Sequence, residues 1–307
     1  MILGEELTKY TFPAGHPMSS SRVQPFLKRA EKIARIRGIR IYRPRHARDS
    51  EILLFHSSKY VDRVKLASET GMGYLDYGDT PAFIGVYEAS TIPVGSTLSL
   101  LEAIDKNEIE HGFNPLGGLH HAMPSSASGF CVFNDAGIAI KMAHEKMSCK
   151  KILYVDIDAH HGDGIYYTFE EEPWLYIADI HEDGRYLFPG TGYRDEDGKG
   201  EAKGTKLNIP LPPGSDDKDF IKAFDEAFEF CKRSEAEIIF FQAGADGLKG
   251  DPLTHLRYSE EAHRYAARKL HLLAHEMCNG RLLVMGGGGY NADNVDRAWT
   301  AILEEIS

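Results

Sequence analysis

The sequence is short of the residues that build several whole classes of protein. It has four cysteines in 307 residues. Cys131, Cys149, Cys231 and Cys278 are widely spaced and form no CxxC pair, so neither a thiolate metal cluster nor a disulfide framework is expected. Cationic residues are outnumbered, 35 Lys and Arg against 46 Asp and Glu, for a formal net charge of −11. That balance argues against a phosphate-binding surface, so no direct nucleic-acid partner is expected, whereas a cationic partner such as a lysine-rich tail suits it. No apolar run reaches the roughly 20 residues needed to span a bilayer. The opening MILGEELTKY has neither a basic stretch nor a long apolar core, so no leader and no membrane association are expected, and a reducing cytoplasm is the simplest setting. What remains is ordinary globular composition, 42% hydrophobic and 26% charged, which excludes a disordered chain.

Short β-branched or aromatic runs that stop at Gly, Asp or His alternate with longer helix-like segments, the pattern of an α/β fold whose parallel sheet is covered on both faces. Strands are predicted at 38–44 (GIRIYRP), 151–158 (KILYVDID), 174–181 (WLYIADIH), 236–244 (AEIIFFQAG) and 281–287 (RLLVMGG). Helices are predicted at 21–36, 88–104, 217–234 and 259–277, the third carrying Phe220, Ile221, Phe224, Ala227 and Phe228 as a core-facing stripe. Residues 189–217 are rich in Gly, Pro and charge and read as a long surface excursion, because strand-like signals resume beyond them with the same character. One domain over 1–307 is expected, without internal repeats.

The stretch KILYVDIDAHHGDG, 151–164, crowds Asp156, Asp158, His160, His161 and Asp163 onto the end of a buried strand. Ligand sites in parallel sheets form beyond the carboxyl ends of the strands. Asp158 and His160 are two positions apart and share one side of an extended backbone. With Asp246, at the end of another predicted strand, they make an Asp2His ligand set that leaves positions open for water and substrate, as catalytic zinc requires. Two carboxylates and a neutral imidazole cancel a dication, and so oxygen-rich a set also accepts Fe(II) or Co(II). Such an ion polarises a carbonyl and lowers the pKa of water toward about 7. His120 and His121 in GGLHHA titrate near working pH and can manage protons, with Asp156 and Asp163 each accepting a hydrogen bond from one imidazole. The Tyr290 hydroxyl in GGGGYN can donate to a developing oxyanion, an interaction worth about 3 kcal/mol elsewhere. Amide hydrolysis is the natural reaction for this set. His161 has no assigned role beyond packing.

The motifs GGLHHA, SGFCVFNDAG, YVDIDAHHGDG, FPGTG, QAGADGLKGDPL and GGGGYN, spanning 117–291, together resemble the zinc-dependent histone deacetylase family and its bacterial and archaeal acetoin-utilisation relatives. The resemblance implies an arginase/deacetylase fold, a three-layer αβα arrangement around a mostly parallel eight-stranded sheet. It implies hydrolysis of the acyl-lysine amide in a protein or peptide. Asp158, His160 and Asp246 match the zinc ligands, and Tyr290 the carbonyl-polarising tyrosine. His121, backed by Asp163, matches the general base that becomes the acid for the leaving amine, and His120 beside Asp156 acts electrostatically. Gly129, Phe130 and Phe188 match the walls of a narrow acyl-lysine channel, Asp79 a rim acid that binds substrate backbone, and Arg22 a residue near an internal cavity for the released acid. The family also often binds potassium near the zinc, through the Asp156 and Asp158 region and a strand-end Ser. Here Asp179 stands at the place of that Ser, which keeps an oxygen donor and changes the charge. Leu187 replaces a second aromatic before FPGTG, which is expected to loosen one side of the mouth.

Three rival readings are distinguishable. An arginase-type dinuclear enzyme would need further acids, yet Gly162 follows the His pair and Gly244 precedes Asp246. An acetylpolyamine amidohydrolase would carry an acidic gate where Leu253 stands. A catalytically weak acyl-lysine binder would have lost a ligand or Tyr290, and none is lost. The sequence leaves the target protein, the acyl length and the choice between monomer and homo-oligomer open.

Overall fold

A computed structural model describes residues 1–307. Six strands, β1 (His111–Asn114), β2 (Ile152–Asp156), β3 (Leu175–Glu182), β4 (Lys206–Leu211), β5 (Ile238–Gln242) and β6 (Leu282–Met285), form one sheet in the order β1-β6-β5-β2-β3-β4. Every neighbouring pair is parallel. Every residue of β2, β5 and β6 is buried, which is why these strands read as continuous apolar runs rather than alternating ones. Helices cover both faces: α1 (Gln24–Arg37), α7 (Asp217–Lys232), α8 (Glu260–Cys278) and α9 (Ala292–Ile306) form one packed group, and α3 (Ser58–Thr70), α4 (Val86–Asp105), α5 (Asp135–Glu145) and α6 (Asp163–Phe169) the other, with the short α2 (Asp49–Ile52) against α5. A single cluster of 89 buried hydrophobic residues runs from Met1 to Ile306. No helix is long and apolar enough to cross a membrane.

Local chemistry sets the helix ends. At α7, the Asp216 side chain accepts from Lys218 N while Asp219 reaches back to Asp216 N, a reciprocal cap. The buried seam of α7 runs through Phe220, Ala223, Phe224, Ala227 and Phe230. Ile221 and Phe228, expected in that stripe, pack along its margin, because the seam follows the 3.6-residue repeat towards Phe230. Asn291 caps α9 through Asp293 N and Asn294 N.

The strand count corrects the expected eight. At the sheet edge beside β1, Ile2 and Tyr42 form one parallel bridge, and Ile2 N donates to Phe113 O. The predicted strand at 38–44 is thus reduced to a single paired residue, cut short by Pro44, which has no N–H to donate. In the other direction the sheet gains β4, which lies inside the predicted surface excursion and pairs with β3 from Lys206 to Leu211. As an edge strand it tolerates Pro210. Lys206 is buried there, its ammonium donating to Leu175 O, Glu172 O and Thr205 Oγ1.

This strand order reverses between β2 and β5: β3 and β4 follow β2 outward on one side, β6 and β1 follow β5 on the other. In such sheets the crevice at the reversal point is where ligands bind.

Candidate active site

Asp158 and His160 leave β2 and Asp246 leaves β5, so the reversal point brings the three together. His160 Nδ1 is 3.0 Å from Asp158 Oδ1 and 3.0 Å from Asp246 Oδ2. All three residues are buried, and their ligand atoms lie within 4.8 Å of one another. The other carboxylate oxygens are pinned: Asp158 Oδ2 accepts from Gln242 Nε2 and Gly288 N, both at 2.8 Å, and Asp246 Oδ1 from Ala159 N at 2.8 Å. A side chain at position 244 would overlap the Asp158 carboxylate, so only glycine fits there. Burial and the facing Asp158 push the Asp246 carboxyl up to about 7. Two buried, oriented carboxylates and one imidazole that cannot donate to both fit a divalent cation, whose charge relieves that repulsion.

Beside this floor, His120 Nδ1 lies 2.7 Å from Asp156 Oδ2, which also accepts from the Tyr154 hydroxyl at 2.6 Å. His121 Nδ1 lies 2.6 Å from Asp163 Oδ1, and the two Nε2 atoms are 3.1 Å apart. With both Nδ1 atoms donating to carboxylates, a hydrogen bond between the Nε2 atoms requires one ring to be a cation and the other to offer its lone pair. Burial opposes the His120 cation, but Asp156 and Asp158 outweigh it and hold this imidazole up at about 10. Burial and the adjacent His120 bring His121 down to about 4. His120 is therefore the cation, and His121 presents a basic Nε2. Buried Asp135 fixes the turn that carries both, accepting from Gly118 N and Leu119 N. His161 points away from them, Nδ1 to Thr191 Oγ1 at 2.8 Å, and burial lowers it to about 3.

Tyr290 lies on the loop after β6, with its backbone N–H donating to Asp251 Oδ2 at 2.7 Å. The other oxygen of Asp251 accepts from Leu253 N at 2.9 Å, so one buried carboxylate fixes both loops. Burial and the Asp246 and Asp158 carboxylates raise the Tyr290 phenol well above its usual range and keep it a donor. Arg22 is buried behind this loop, donating to Gly289 O at 3.0 Å and Gly287 O at 3.1 Å, with its guanidinium carbon 5.9 Å from the Tyr290 ring. A small cavity beside the floor is lined by Met18, His120, His121, Cys131, Asp158 and Tyr290, among others, with Arg22 outside its lining.

The mouth is built from loops. Gly129 and Phe130 both have positive φ, 51° and 65°. A side chain at 129 would crowd the His121 ring and approach Phe188 Cε1 to 3.0 Å. For Phe130 this backbone costs on the order of 1–3 kcal/mol. It is held by Tyr10 Oη donating to Phe130 O, by Phe130 N donating to Thr80 Oγ1, and by edge contact with Tyr290 at 5.8 Å. Phe188 stands edge-on to His121 at 5.1 Å and is 44% exposed. Asp79 is exposed at the rim of a surface cavity that also includes Asp76, Tyr77, Gly129 and Phe188. Leu187 is buried in the hydrophobic cluster.

Residues 16–306 match the histone deacetylase domain family. The chain belongs to the histone deacetylase family. It is 39% identical to the acetoin utilization protein AcuC of Bacillus subtilis (strain 168), over 97% of this chain and 79% of that protein. It is 33% identical to AcuC of Staphylococcus xylosus over 98% and 80%. Among solved structures, an HDAC homolog from Aquifex aeolicus superposes with a TM-score of 0.86 at 31% identity, covering 100% of this chain and 83% of that one. The HDA15 HD domain superposes with a TM-score of 0.88 at 26% identity, covering 99% and 90%. The fold is thus the histone deacetylase α/β fold, with six strands in this member, and the chain is a histone deacetylase-family hydrolase.

Within this histone deacetylase-family site, Asp179 is committed to the protein itself. Its Oδ1 accepts from His181 Nδ1 at 2.6 Å and its Oδ2 from Gly162 N at 2.9 Å. Burial opposes the His181 cation, but Asp179 outweighs it and raises the imidazole, so the extra carboxylate is offset by its own counter-ion. Gln242, Asp135, Asp251 and Tyr154 support the site without having been singled out from sequence. The available signal was a polar residue inside an apolar or glycine-rich run, as in FFQAGAD, FNDAG and KGDPL.

Proposed function

We propose that the protein is a zinc-dependent lysine deacylase that hydrolyses the acyl-lysine amide in proteins or peptides, with Fe(II) or Co(II) able to replace zinc. The observation that carries this reading is the grouping of the Asp158, His160 and Asp246 ligand atoms with a neutral His121 and the Tyr290 loop beneath an aromatic-walled mouth. A divalent cation on those ligands supplies Lewis acidity towards the carbonyl and lowers the pKa of water.

The rest is done by side chains. His121 Nε2 takes the proton from the attacking water and returns it to the leaving lysine amine, while Asp163 holds the ring through Nδ1. His120, cationic beside Asp156, offsets negative charge that develops at the carbonyl. The Tyr290 hydroxyl donates to the carbonyl oxygen as it gains charge. Gly129 leaves room for the aliphatic stem between Phe130 and Phe188, and Asp79 accepts from substrate backbone N–H at the rim. Leu253, apolar where a polyamine enzyme would need an acid for a second ammonium, favours peptide over acetylpolyamine.

One preparation assayed on acetyl-lysine peptide, longer acyl-lysine peptides and acetylputrescine tests the proposal. The peptides should turn over, activity should disappear on chelation, and Zn(II) should restore it. Faster turnover of acetylputrescine would overturn the substrate assignment, and chelator-resistant turnover the mechanism.

A further inference from the structure

At the opposite end of the sheet, three imidazoles meet without a carboxylate partner. His111 is the first residue of β1, and His271 and His275 lie one turn apart on α8. The His111 and His271 rings stack with centroids 4.7 Å apart, and His275 lies 5.0 Å from His111 and 4.7 Å from His271. Each residue offers a ligand nitrogen, all within 4.8 Å of one another. His111 Nε2 and His271 Nδ1 are shielded from solvent and have no hydrogen-bond partner, an arrangement that costs free energy unless something else engages those atoms. Burial and the neighbouring imidazoles bring His111 down to about 4, and burial with His275 lowers His271. Gly280 leaves the space beside His275 clear: a side chain there would meet the His275 ring and the Glu110 Cβ at 3.1 Å.

We infer that His111, His271 and His275 form a second metal site, for a late first-row divalent cation such as Zn(II), which ties α8 to the start of β1. Three imidazoles suit such ions and not Mg or Ca, which prefer oxygen donors. Tetrahedral ligation at about 2.0–2.1 Å places ligand nitrogens roughly 3.3 Å apart. The rings reach this by rotating, helped by the exposed position of His275. The fourth position is left to water.

Equilibrium dialysis of untagged full-length protein against buffered Zn(II), with metal counted per chain, tests the inference. Wild type should bind two ions, Asp246→Ala one, His275→Ala one and the double variant none. His275→Ala should weaken the second site by roughly tenfold or more, since losing a ligand costs at least as much as losing a supporting residue. In the Asp246→Ala background, Zn(II) should raise Tm, and adding His275→Ala should abolish the rise. Unchanged melting of chelated His275→Ala protein confirms that the variant folds. Wild type binding a single ion that His275→Ala leaves in place, or two ions retained in His275→Ala, would overturn the second site. A single ion lost only in His275→Ala would keep it and remove the catalytic one.

Discussion

The floor and the rim of the candidate active site are made differently. On the floor, Asp158, Asp246, His120 and His121 are buried and every one has a hydrogen-bond partner at a strand end, in the loop that follows it or at the start of α6. At the rim, Tyr77, Asp79 and Phe188 stand exposed on loops. Burial fixes orientation and amplifies charge, so the floor is suited to stabilising a transition state. An exposed rim is screened by water and contributes chiefly to binding. Floor substitutions should therefore act on kcat and rim substitutions on KM.

The largest loss is expected for His121→Ala, about 10²–10⁴-fold in kcat on an acyl-lysine peptide, because in the proposed mechanism the ring both takes and returns the proton. Tyr290→Phe should cost about 10²–10³-fold in kcat with little change in KM. Equal steady-state rates for this variant and wild type would falsify the role of the hydroxyl. Next comes Asp251, which touches no substrate but positions Tyr290 by accepting its N–H. Asp251→Asn should lower kcat by about tenfold. If it acts through Tyr290, the double variant Asp251→Asn/Tyr290→Phe should be no slower than Tyr290→Phe alone, whereas a merely structural effect would multiply.

The same contrast explains what the sequence discloses. A buried strand end has no structural reason to carry Asp158, His160 and Asp246, so residue type and position together reveal the floor. Acids and aromatics such as Asp76 and Tyr77 at the rim are ordinary surface residues in sequence, and the family resemblance rather than periodicity points to Asp79. Among the elements, β2, β3, β5 and β6 announce themselves as apolar runs. The four-residue β1, HGFN, has too little apolar character to be seen, and β4 carries Lys206, Asn208 and Pro210 because it is an edge. Both α5 and α6 are buried on most sides and so lack a stripe. By contrast, α9 has one, through Val295, Ala298, Trp299, Ile302 and Ile306, and is absent from the predicted helices although it follows the same 3.6-residue spacing that reveals α7.

Smaller effects belong to the rim. Phe188→Ala would remove one proposed wall of the lysine channel. At about 0.8 kcal/mol per buried methylene, partial exposure of one or two methylenes should raise KM roughly fivefold. Longer acyl-lysine peptides should show the same ratio, since the acyl end lies beyond this wall; a ratio that grows with acyl length would place Phe188 deeper than the mouth.

The most specific effect is a pH dependence of similar size. Although the residue as a whole is exposed, partial shielding of its carboxyl and the Asp76 carboxylate raise Asp79 to about 7. Asp76 stays ionised because it accepts from the backbone N–H groups of Gly78, Asp79 and Thr80. Above pH 7 Asp79 is a carboxylate and accepts fully from substrate backbone N–H, and below it the proton weakens that bond. KM for a peptide should therefore rise about three- to tenfold between pH 8 and pH 6, the range for one charge-assisted hydrogen bond discounted for exposure. Asp76→Asn removes the part of the shift that Asp76 supplies and leaves the part from burial, so the rise in KM should move to lower pH and shrink across that interval. An acetylated alkylamine without backbone N–H should show no such rise even with wild type. A rise shared by that compound would trace the pH dependence to the floor instead.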